Sequence, residues 1–259
     1  FYKKIFFQNS LNYVIDVGVN RGQSIDLFQK INKNVEIYGF EPNPSLFDKL
    51  ILKYSNNTKI TIYNLGCSED NGKKLFYENI LDESSGFEEI NYKSEWVKKK
   101  SKILGIKSKN LIDKKYYVNV IALSEFLKPK QTIDLIKIDV EGHEYMVLKG
   151  LFKKYIDIKF IQFEVHNDNM YKNSVAYIKI VELLNDNGFF ELKTIKHSFG
   201  DINDVIFKKK WKMKLGIIIP TFQEEKNIKG TLDQAIDKLL AQDIPYEIII
   251  VDDNSNDET

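Results

Sequence analysis

Residues 14–23 are Val14-Ile15-Asp16-Val17-Gly18-Val19-Asn20-Arg21-Gly22-Gln23, a predicted apolar strand that runs into a turn with two glycines. Because Ile25, Leu27, Phe28 and Ile31 can form an apolar stripe, an amphipathic helix is predicted to follow. Glycine lets the backbone approach a bound ligand closely. Ligands of open α/β sheets bind beyond the carboxyl ends of the strands. The turn is therefore predicted to form the floor of a cofactor site.

The same alternation of short strands and amphipathic helices continues along most of the chain. It is typical of an α/β fold with a parallel sheet covered by helices. Further strands are predicted at 35–40, 59–65, 118–121, 133–138 and 160–164, with a short one at 74–77, and the pair 189–195 and 204–207 indicates an antiparallel hairpin. Residues 82–113 show no clean period and are interpreted as an insertion over the active-site edge.

The composition is that of a globular protein: 259 residues, 43% hydrophobic, with only five prolines. The 38 basic residues nearly balance the 37 acidic ones, so no overall field attracts nucleic acid or a membrane. Cys67 is the sole cysteine, which excludes an internal disulfide and fits a reducing compartment, so the cytoplasm is the expected location. No apolar run approaches the roughly 18 residues of a membrane span.

An acidic residue follows the second predicted strand, at Glu41, before the turn Pro42-Asn43-Pro44. A carboxylate at this place can accept hydrogen bonds from the two hydroxyls of a ribose. The glycines of the first turn lack the Gly-x-Gly-x-x-Gly spacing expected for a pyrophosphate. This favours an adenosyl ligand over a nicotinamide dinucleotide, while a solvated strand end remains the competing interpretation of Glu41.

In these motifs the chain resembles the FkbM family of S-adenosylmethionine-dependent methyltransferases. Two further motifs carry the resemblance, Gly66-Cys67-Ser68-Glu69-Asp70-Asn71-Gly72 and Leu135-Ile136-Lys137-Ile138-Asp139-Val140-Glu141-Gly142-His143-Glu144, and together they span roughly residues 10 to 207. The resemblance implies a class I methyltransferase (Rossmann-like) fold, with a mostly parallel sheet and an antiparallel last strand. It also implies S-adenosylmethionine as the methyl donor.

The resemblance assigns the cofactor contacts by motif position. Asp16, Gly18 and Asn20 would line the methionine part, and Glu41 would hold the ribose. Cys67 and Ser68 would lie near the adenine, although Cys67 is equally well explained as a packed small residue. The remaining expected contacts are Gln23, Pro42 and Asp139.

The predicted catalytic group consists of polar residues that follow two neighbouring strands: Asp139, Glu141, His143, Glu164 and His166. His143 is the first choice for the base that removes the acceptor's proton, because imidazole titrates near neutrality, with Asp139 or Glu164 to orient it. The alternative is that His143 merely opens the next helix. The same side chains could hold magnesium or manganese, but the sequence favours no metal.

A lysine-rich segment lies between Lys93 and Lys115, with nine lysines against two acids. Trp96, Ile103, Leu104 and Ile106 are interleaved with them, as in an amphipathic helix. One interpretation is contact with an anionic glycan, a nucleotide-sugar or the inner face of a membrane. The other is a solvated face of a lid, which is common for charged helices.

A charge run at 208–214 marks a predicted domain boundary, with a methyltransferase domain at 1–210 and a second segment at 211–259. The second segment resembles the opening of a family-2 glycosyltransferase of the GT-A type. The resemblance assigns nucleotide contacts to Pro220, Thr221, Glu224, Asp252 and Asp253. Phe222-Gln223 stands where that family usually has Tyr-Asn. In that family the metal-binding motif and the base lie further downstream, so this segment is expected to be inactive by itself.

The sequence thus predicts an O-methyltransferase that uses S-adenosylmethionine to methylate a sugar hydroxyl in glycan or polysaccharide biosynthesis, or the hydroxyl of a small molecule. Nucleic acid is not an expected partner. The alternatives are a nicotinamide-dependent sugar oxidoreductase, a noncatalytic cofactor-binding module attached to a glycosyltransferase, and a peripheral membrane adaptor.

Overall fold

A computed structural model of the chain describes residues 11–80, 85–105, 111–128, 132–166, 170–196, 202–210, 215–240 and 246–259. The chain divides into two compact units, Phe1–Lys209 and Lys210–Thr259. Residues 106–110 of the lysine-rich segment and residues 211–214 of the charge run lie outside the described residues.

The strands of the first unit are β1 (Tyr13–Val17), β2 (Glu36–Phe40), β3 (Ile60–Tyr63), β4 (Gly66–Cys67), β5 (Gly72–Asn79), β6 (Ile112–Ile121), β7 (Ile133–Ile138), β8 (Ile158–His166), β9 (Phe189–Lys196) and β10 (Ile202–Lys209). Its helices are α1 (Gln23–Ile31), α2 (Pro44–Tyr54), α3 (Glu95–Leu104), α4 (Leu123–Phe126), α5 (Glu144–Leu151) and α6 (Tyr177–Asp186).

The central sheet of the described residues has seven strands in the order β3-β2-β1-β7-β8-β10-β9. The first five strands run parallel, and β10 is antiparallel to both β8 and β9. The predicted fold class, a mostly parallel class I methyltransferase sheet with an antiparallel last strand, is confirmed. In this register Val17 pairs with both Phe40 and Ile138. The turns that follow β1, β2 and β7 therefore meet at one edge of the sheet.

Both faces of the sheet are covered, as is usual for parallel strands. All five residues of β1 are buried. Ile15 belongs to the hydrophobic core on one face and Val14 to the core on the other, because successive side chains of a strand point to opposite faces. Helix α1 buries Ile25 and Phe28 of its predicted apolar stripe, whereas Leu27 is exposed.

The two strands that flank the insertion are longer than the predicted strands 74–77 and 118–121. Strand β5 is eight residues long and pairs antiparallel with β6, and β4 completes a three-stranded sheet. Paired residues of β5 and β6 lie about 40 positions apart in the chain. The sequence therefore carries no local signal of which strands pair. A small core of Phe76, Val118 and Val120 lies within this sheet.

Helix α3 lies in the insertion and is amphipathic. The Ser94 hydroxyl accepts from the backbone N–H of Val97 at its start. Val97 is fully buried, whereas Lys98 and Lys99 are exposed. Ile103 is exposed. Ile106 and the side chains of Trp96 and Leu104 lie outside the described residues.

The second unit contains β11 (Leu215–Thr221), α7 (Ile228–Leu240) and β12 (Tyr246–Asp252). The two strands are parallel and in register from the pair Leu215–Tyr246 to the pair Thr221–Asp252. This is the strand, helix, strand unit that the sequence predicts. Among the described residues, the helices are too short or too polar for any to span a membrane.

Candidate functional site

A cavity of about 580 Å³ opens at the edge where the parallel strands end. One end of it is lined from β1, β2 and their turns, by Gly18, Asn20, Gln23, Glu41 and Pro42, together with Cys67. The other end is lined from β7, β8 and β10, by Lys137, Asp139, Glu141, Gln162, Glu164, His166 and Asp204. A cavity of this size is in the range of cofactor sites.

The turn after β1 depends on glycine at position 18. Gly18 has φ +86°, and a Cβ there would stand 1.9 Å from the backbone oxygen of Asp139. The backbone N–H of Gly18 also donates to the carbonyl of Phe40, at 3.0 Å. The turn is thus packed between the ends of β2 and β7, which is the close backbone approach expected from the sequence.

Glu41 is held in one orientation at the cofactor end. Its Oε2 accepts a hydrogen bond of 2.8 Å from the backbone N–H of Asn20, and its Oε1 accepts one of 2.8 Å from the backbone N–H of Asn43. The side chain lines the cavity and is only 4% exposed. These two bonds fix the orientation of the Glu41 carboxylate at the wall of the cavity.

Two predicted cofactor residues lie behind the wall of the cavity. Asp16 is fully buried, and its Oδ2 accepts from the Ser24 hydroxyl, which lines the cavity. Burial raises the pKa of Asp16, against the opposing charge of Lys137. Ser68 is also fully buried, and its hydroxyl bonds to His143. Neither is among the described residues that line the cavity; Asp16 bonds to Ser24, which does, and Ser68 bonds to His143, which does not.

Cys67 lines the cavity as a buried thiol. Burial raises its pKa well above the usual value. A neutral thiol is a weak nucleophile. This environment agrees with a packed side chain at the cavity wall.

His143 is bonded on both sides of its ring. Nδ1 lies 2.8 Å from Glu88 Oε1, and Nε2 lies 3.0 Å from the Ser68 hydroxyl. The residue is 3% exposed and is not among the described residues that line the cavity. Its ring packs on Phe87 with centroids 5.1 Å apart. The geometry therefore favours a positioning role for His143, between the insertion and the wall of the cavity, over the role of base predicted from the sequence.

His166, the second histidine of the predicted catalytic group, does line the cavity. Its Nε2 lies 3.0 Å from Glu164 Oε1 and 3.5 Å from Glu141 Oε2. The Tyr171 hydroxyl donates to the same Oε2 of Glu141. Glu141 comes from the turn after β7, while Glu164 and His166 are two residues apart at the end of β8 and so share a face. We call Glu141, Glu164 and His166 the acidic cluster.

Burial and mutual charge determine the protonation of the acidic cluster. Burial raises the pKa of Glu141 to about 8, helped by Asp139 and Glu164 and opposed by His166. For His166, burial lowers the pKa, but the contact with Glu164 and the charge of Glu141 outweigh it and raise the pKa to about 9. The environment of the cluster thus raises the pKa of both groups.

Three polar residues of this end were missed in the sequence. Lys137 Nζ pairs with Asp139 Oδ2 at 2.8 Å. Gln162 precedes Glu164 on the same face of β8, so the two-residue period could have identified it. Asp204 lies opposite Glu164 in the antiparallel pair of β8 and β10. That register joins residues 40 positions apart and has no local signal.

In the second unit, the parallel pairing of β11 and β12 brings together residues expected to contact a nucleotide. The Thr221 hydroxyl donates to Asp252 Oδ1 at 3.2 Å, and the Asp253 N–H donates to the Thr221 carbonyl at 3.0 Å. Hydrogen bonds from Ser255 lower the pKa of Asp252. Pro220 precedes Thr221 in β11, and the backbone N–H of Glu224 donates to the Thr259 hydroxyl at 2.8 Å.

Comparison with solved structures gives similar chains of low sequence identity. Magnesium protoporphyrin IX methyltransferase from Synechocystis PCC 6803 is 12% identical, with 76% of this chain and 69% of that chain covered and a TM-score of 0.43. Aeropyrum pernix fibrillarin is 10% identical, with 76% and 66% covered and a TM-score of 0.43. TrmK of M. capricolum is 9% identical, with 79% and 65% covered and a TM-score of 0.42.

No significant match was found among curated protein sequences. Two family models match in the order predicted from the motifs. The glycosyl transferase family 2 model matches residues 216–259. The methyltransferase FkbM domain model matches residues 16–191, which is more than half of the chain. The chain belongs to the FkbM methyltransferase domain family.

Proposed function

We propose that this chain is an S-adenosylmethionine-dependent O-methyltransferase that methylates a hydroxyl of a sugar. The observation that carries the proposal is the two-ended cavity, in which an oriented carboxylate, Glu41, lies at one end and carboxylates with a histidine lie at the other. S-adenosylmethionine supplies an electrophilic methyl group when bound. The two ends provide separate places for a nucleoside and for a hydroxyl acceptor.

The residues of the first end fit a sulfonium nucleoside. Glu41 is placed to accept from the two ribose hydroxyls, since its orientation is already determined by Asn20 and Asn43. The Gly18 turn brings backbone to the wall, and Asn20 and Gln23 add polar groups there. Phe40 and Leu46 provide apolar wall. This mixture of apolar surface with few polar groups is usual in cofactor sites.

The second end is suited to a neutral, hydroxyl-rich acceptor. Four carboxylates line it, those of Asp139, Glu141, Glu164 and Asp204, against two basic groups, Lys137 and His166. Carboxylates are strong acceptors for the hydroxyls of a sugar, and their excess negative charge disfavours an anionic acceptor. These residues hold the acceptor oxygen in place. As that oxygen gains the methyl group, its proton passes to a carboxylate of this end.

The proposal that the acceptor is part of a glycan is supported by residues 211–259. We propose a methyltransferase domain at 1–210 and a glycosyltransferase segment at 211–259, with Pro220, Thr221, Glu224, Asp252 and Asp253 as the nucleotide-sugar contacts. The match of residues 216–259 to the glycosyl transferase family 2 model supports this division. A sugar that one domain transfers is a natural acceptor for the other. We place the reaction in the cytoplasm, consistent with the reduced thiol of Cys67.

The test is methyl transfer from labelled S-adenosylmethionine to a panel of neutral and carboxylated sugars and oligosaccharides. We expect a methyl ether on a neutral acceptor, which mass spectrometry and alkaline stability of the product identify. The exposed Glu182 provides a matched control, Glu182→Gln. Binding of NAD in preference to S-adenosylmethionine, with oxidation of the sugar, would instead support the oxidoreductase alternative. Cofactor binding without transfer to any acceptor would support a noncatalytic module.

A further inference from the structure

The acidic cluster has the composition and spacing of a metal site. One carboxylate oxygen of Glu141, one of Glu164 and one ring nitrogen of His166 all lie within 4.8 Å of one another. These atoms come from two adjacent strand ends, β7 and β8, which fix their backbone positions. Side chains that converge in this way from a rigid sheet can coordinate one ion with little rearrangement.

The histidine provides a second, independent observation. Its side chain is 7% exposed, and neither ring nitrogen makes a hydrogen bond within the part of the chain that the structure describes. The 3.0 Å approach of Nε2 to Glu164 is an ion contact without hydrogen-bond geometry. Buried polar atoms usually have such partners. His166 also lines the cavity, so a ligand can reach it.

A neighbouring tyrosine orients Glu141 toward the proposed ion. Glu141 Oε2 already receives the Tyr171 hydroxyl, which fixes its direction beside the imidazole. Further carboxylates stand around the cluster, since Asp139 lies close to Glu141 and Glu144 lies close to His166. A cation is therefore favoured there over an anion.

We propose that Glu141, Glu164 and His166 bind one divalent cation of the manganese(II) type at the acceptor end of the cavity. Carboxylate oxygens suit hard divalent ions, and the imidazole shifts the preference from magnesium toward manganese and its neighbours. Three protein ligands leave coordination positions for water or for acceptor oxygens. The sequence analysis favoured no metal. The site is inferred from the convergence of the three ligand atoms in the folded chain.

The role of the ion in the reaction rests on the proposed function. A hydroxyl coordinated to the cation is more acidic than a free one. The oxygen forms its bond to the methyl group, the sulfur keeps the electron pair of the bond that breaks, and the hydroxyl proton passes to Asp204. This carboxylate lines the cavity beside Glu164 and is outside the acidic cluster.

The experiment is a titration of the full chain with MnCl₂, without cofactor or acceptor, in which electron paramagnetic resonance measures free Mn²⁺. We expect one bound ion in the wild type and affinity lower by at least about tenfold in Glu164→Gln and in His166→Asn. Glu182→Gln should bind as the wild type does. Saturating Mn²⁺ should raise the midpoint of thermal unfolding in the wild type and in Glu182→Gln, and less in the two cluster variants.

Two results would overturn the proposal: no Mn²⁺ binding by the wild type at millimolar concentrations, or equal affinity in the wild type and the cluster variants, which would place the ion elsewhere. Far-ultraviolet circular dichroism checks the fold, and Glu141→Gln replaces any cluster variant that unfolds. Because the titration needs neither cofactor nor acceptor, its outcome is independent of methyl transfer. Transfer that persists in excess chelator with no Mn²⁺ binding would refute the metal site and leave the proposed function intact.

Discussion

Glu41 Oε2 accepts a 2.8 Å hydrogen bond from the backbone N–H of Asn20, so the acidic end of one strand is bonded to the glycine turn of its neighbour. The two residues are 21 positions apart but lie at the same edge of the sheet, because β1 and β2 are parallel and adjacent. The bond means that the carboxylate is oriented before a ligand arrives. Such preorganisation lowers the entropy cost of binding.

Glu41→Gln should weaken binding of S-adenosylmethionine by about 10- to 100-fold, since hydrogen bonds to a charged group contribute about 1.5–3 kcal/mol. The amide keeps the shape of the carboxylate, but its nitrogen cannot accept from a hydroxyl. Isothermal calorimetry measures the loss, with Glu182→Gln as the control. Equal affinity in Glu41→Gln and the wild type would refute the ribose contact.

Gly18→Ala should destabilise the first unit by more than Gly105→Ala does. Both glycines have positive φ, +86° and +67°, so each alanine carries backbone strain of about 1–3 kcal/mol. Only at Gly18 would the new Cβ also meet the Asp139 carbonyl, whereas at Gly105 none of the described residues beyond its chain neighbours has an atom within 4 Å of it. Urea unfolding of the two variants compares the costs. Similar destabilisation of both would show that the turn can move aside.

His143→Gln should reduce stability by about 1–3 kcal/mol, because Ser68 and Glu88 lose buried hydrogen bonds. A positioning residue should leave turnover within about tenfold of the wild type once the protein is folded. The loss of a general base lowers turnover by about 10²- to 10⁴-fold. Denaturant unfolding and single-turnover methyl transfer, measured together, separate the two roles. If the variant is stable but its turnover falls by about 1000-fold, His143 is the general base after all.

As the pH is lowered into the acid range, the free energy of unfolding should fall less steeply in Asp26→Asn than in the wild type. Burial acts to raise the pKa of Asp26, but hydrogen bonds from Lys53 at 2.8 Å and Tyr54 at 2.7 Å prevail and lower it. The lowered pKa stabilises the fold above the unfolded value of about 3.9, and this contribution is lost as pH falls through the folded value.

The check on Asp26 is the free energy of unfolding between about pH 2 and 6, the range around that unfolded value. Asp26 is partly exposed, so solvent screens the pair and the effect should be modest. The exposed Asp186 provides the matched control, Asp186→Asn. Parallel curves for the wild type and Asp26→Asn would mean that the bonds between α1 and α2 add nothing.

The sequence alone was enough for the fold class, and it grouped Gly18, Asn20 and Glu41, which the structure brings to one end of the cavity. Strand and helix periods are local, and so is the requirement for glycine after β1, because each depends on residues within one turn or strand of each other. Glu41 could be identified since the acidic end of the second strand has a constant place beside the first turn. The family motifs added the methyl donor, and the matched family model agrees with them.

The acceptor end was decided only by the tertiary structure. The sequence made His143 the first choice for the base, but the packing of Ser68 and Glu88 holds it behind the wall, while the end of β8 brings His166 into the cavity. Asp204 reaches Glu164 through an antiparallel register that no local period records. A buried contact between distant residues depends on which strands pair and on how their ends align. Those are properties of the assembled sheet, so no stretch of the chain carries them by itself.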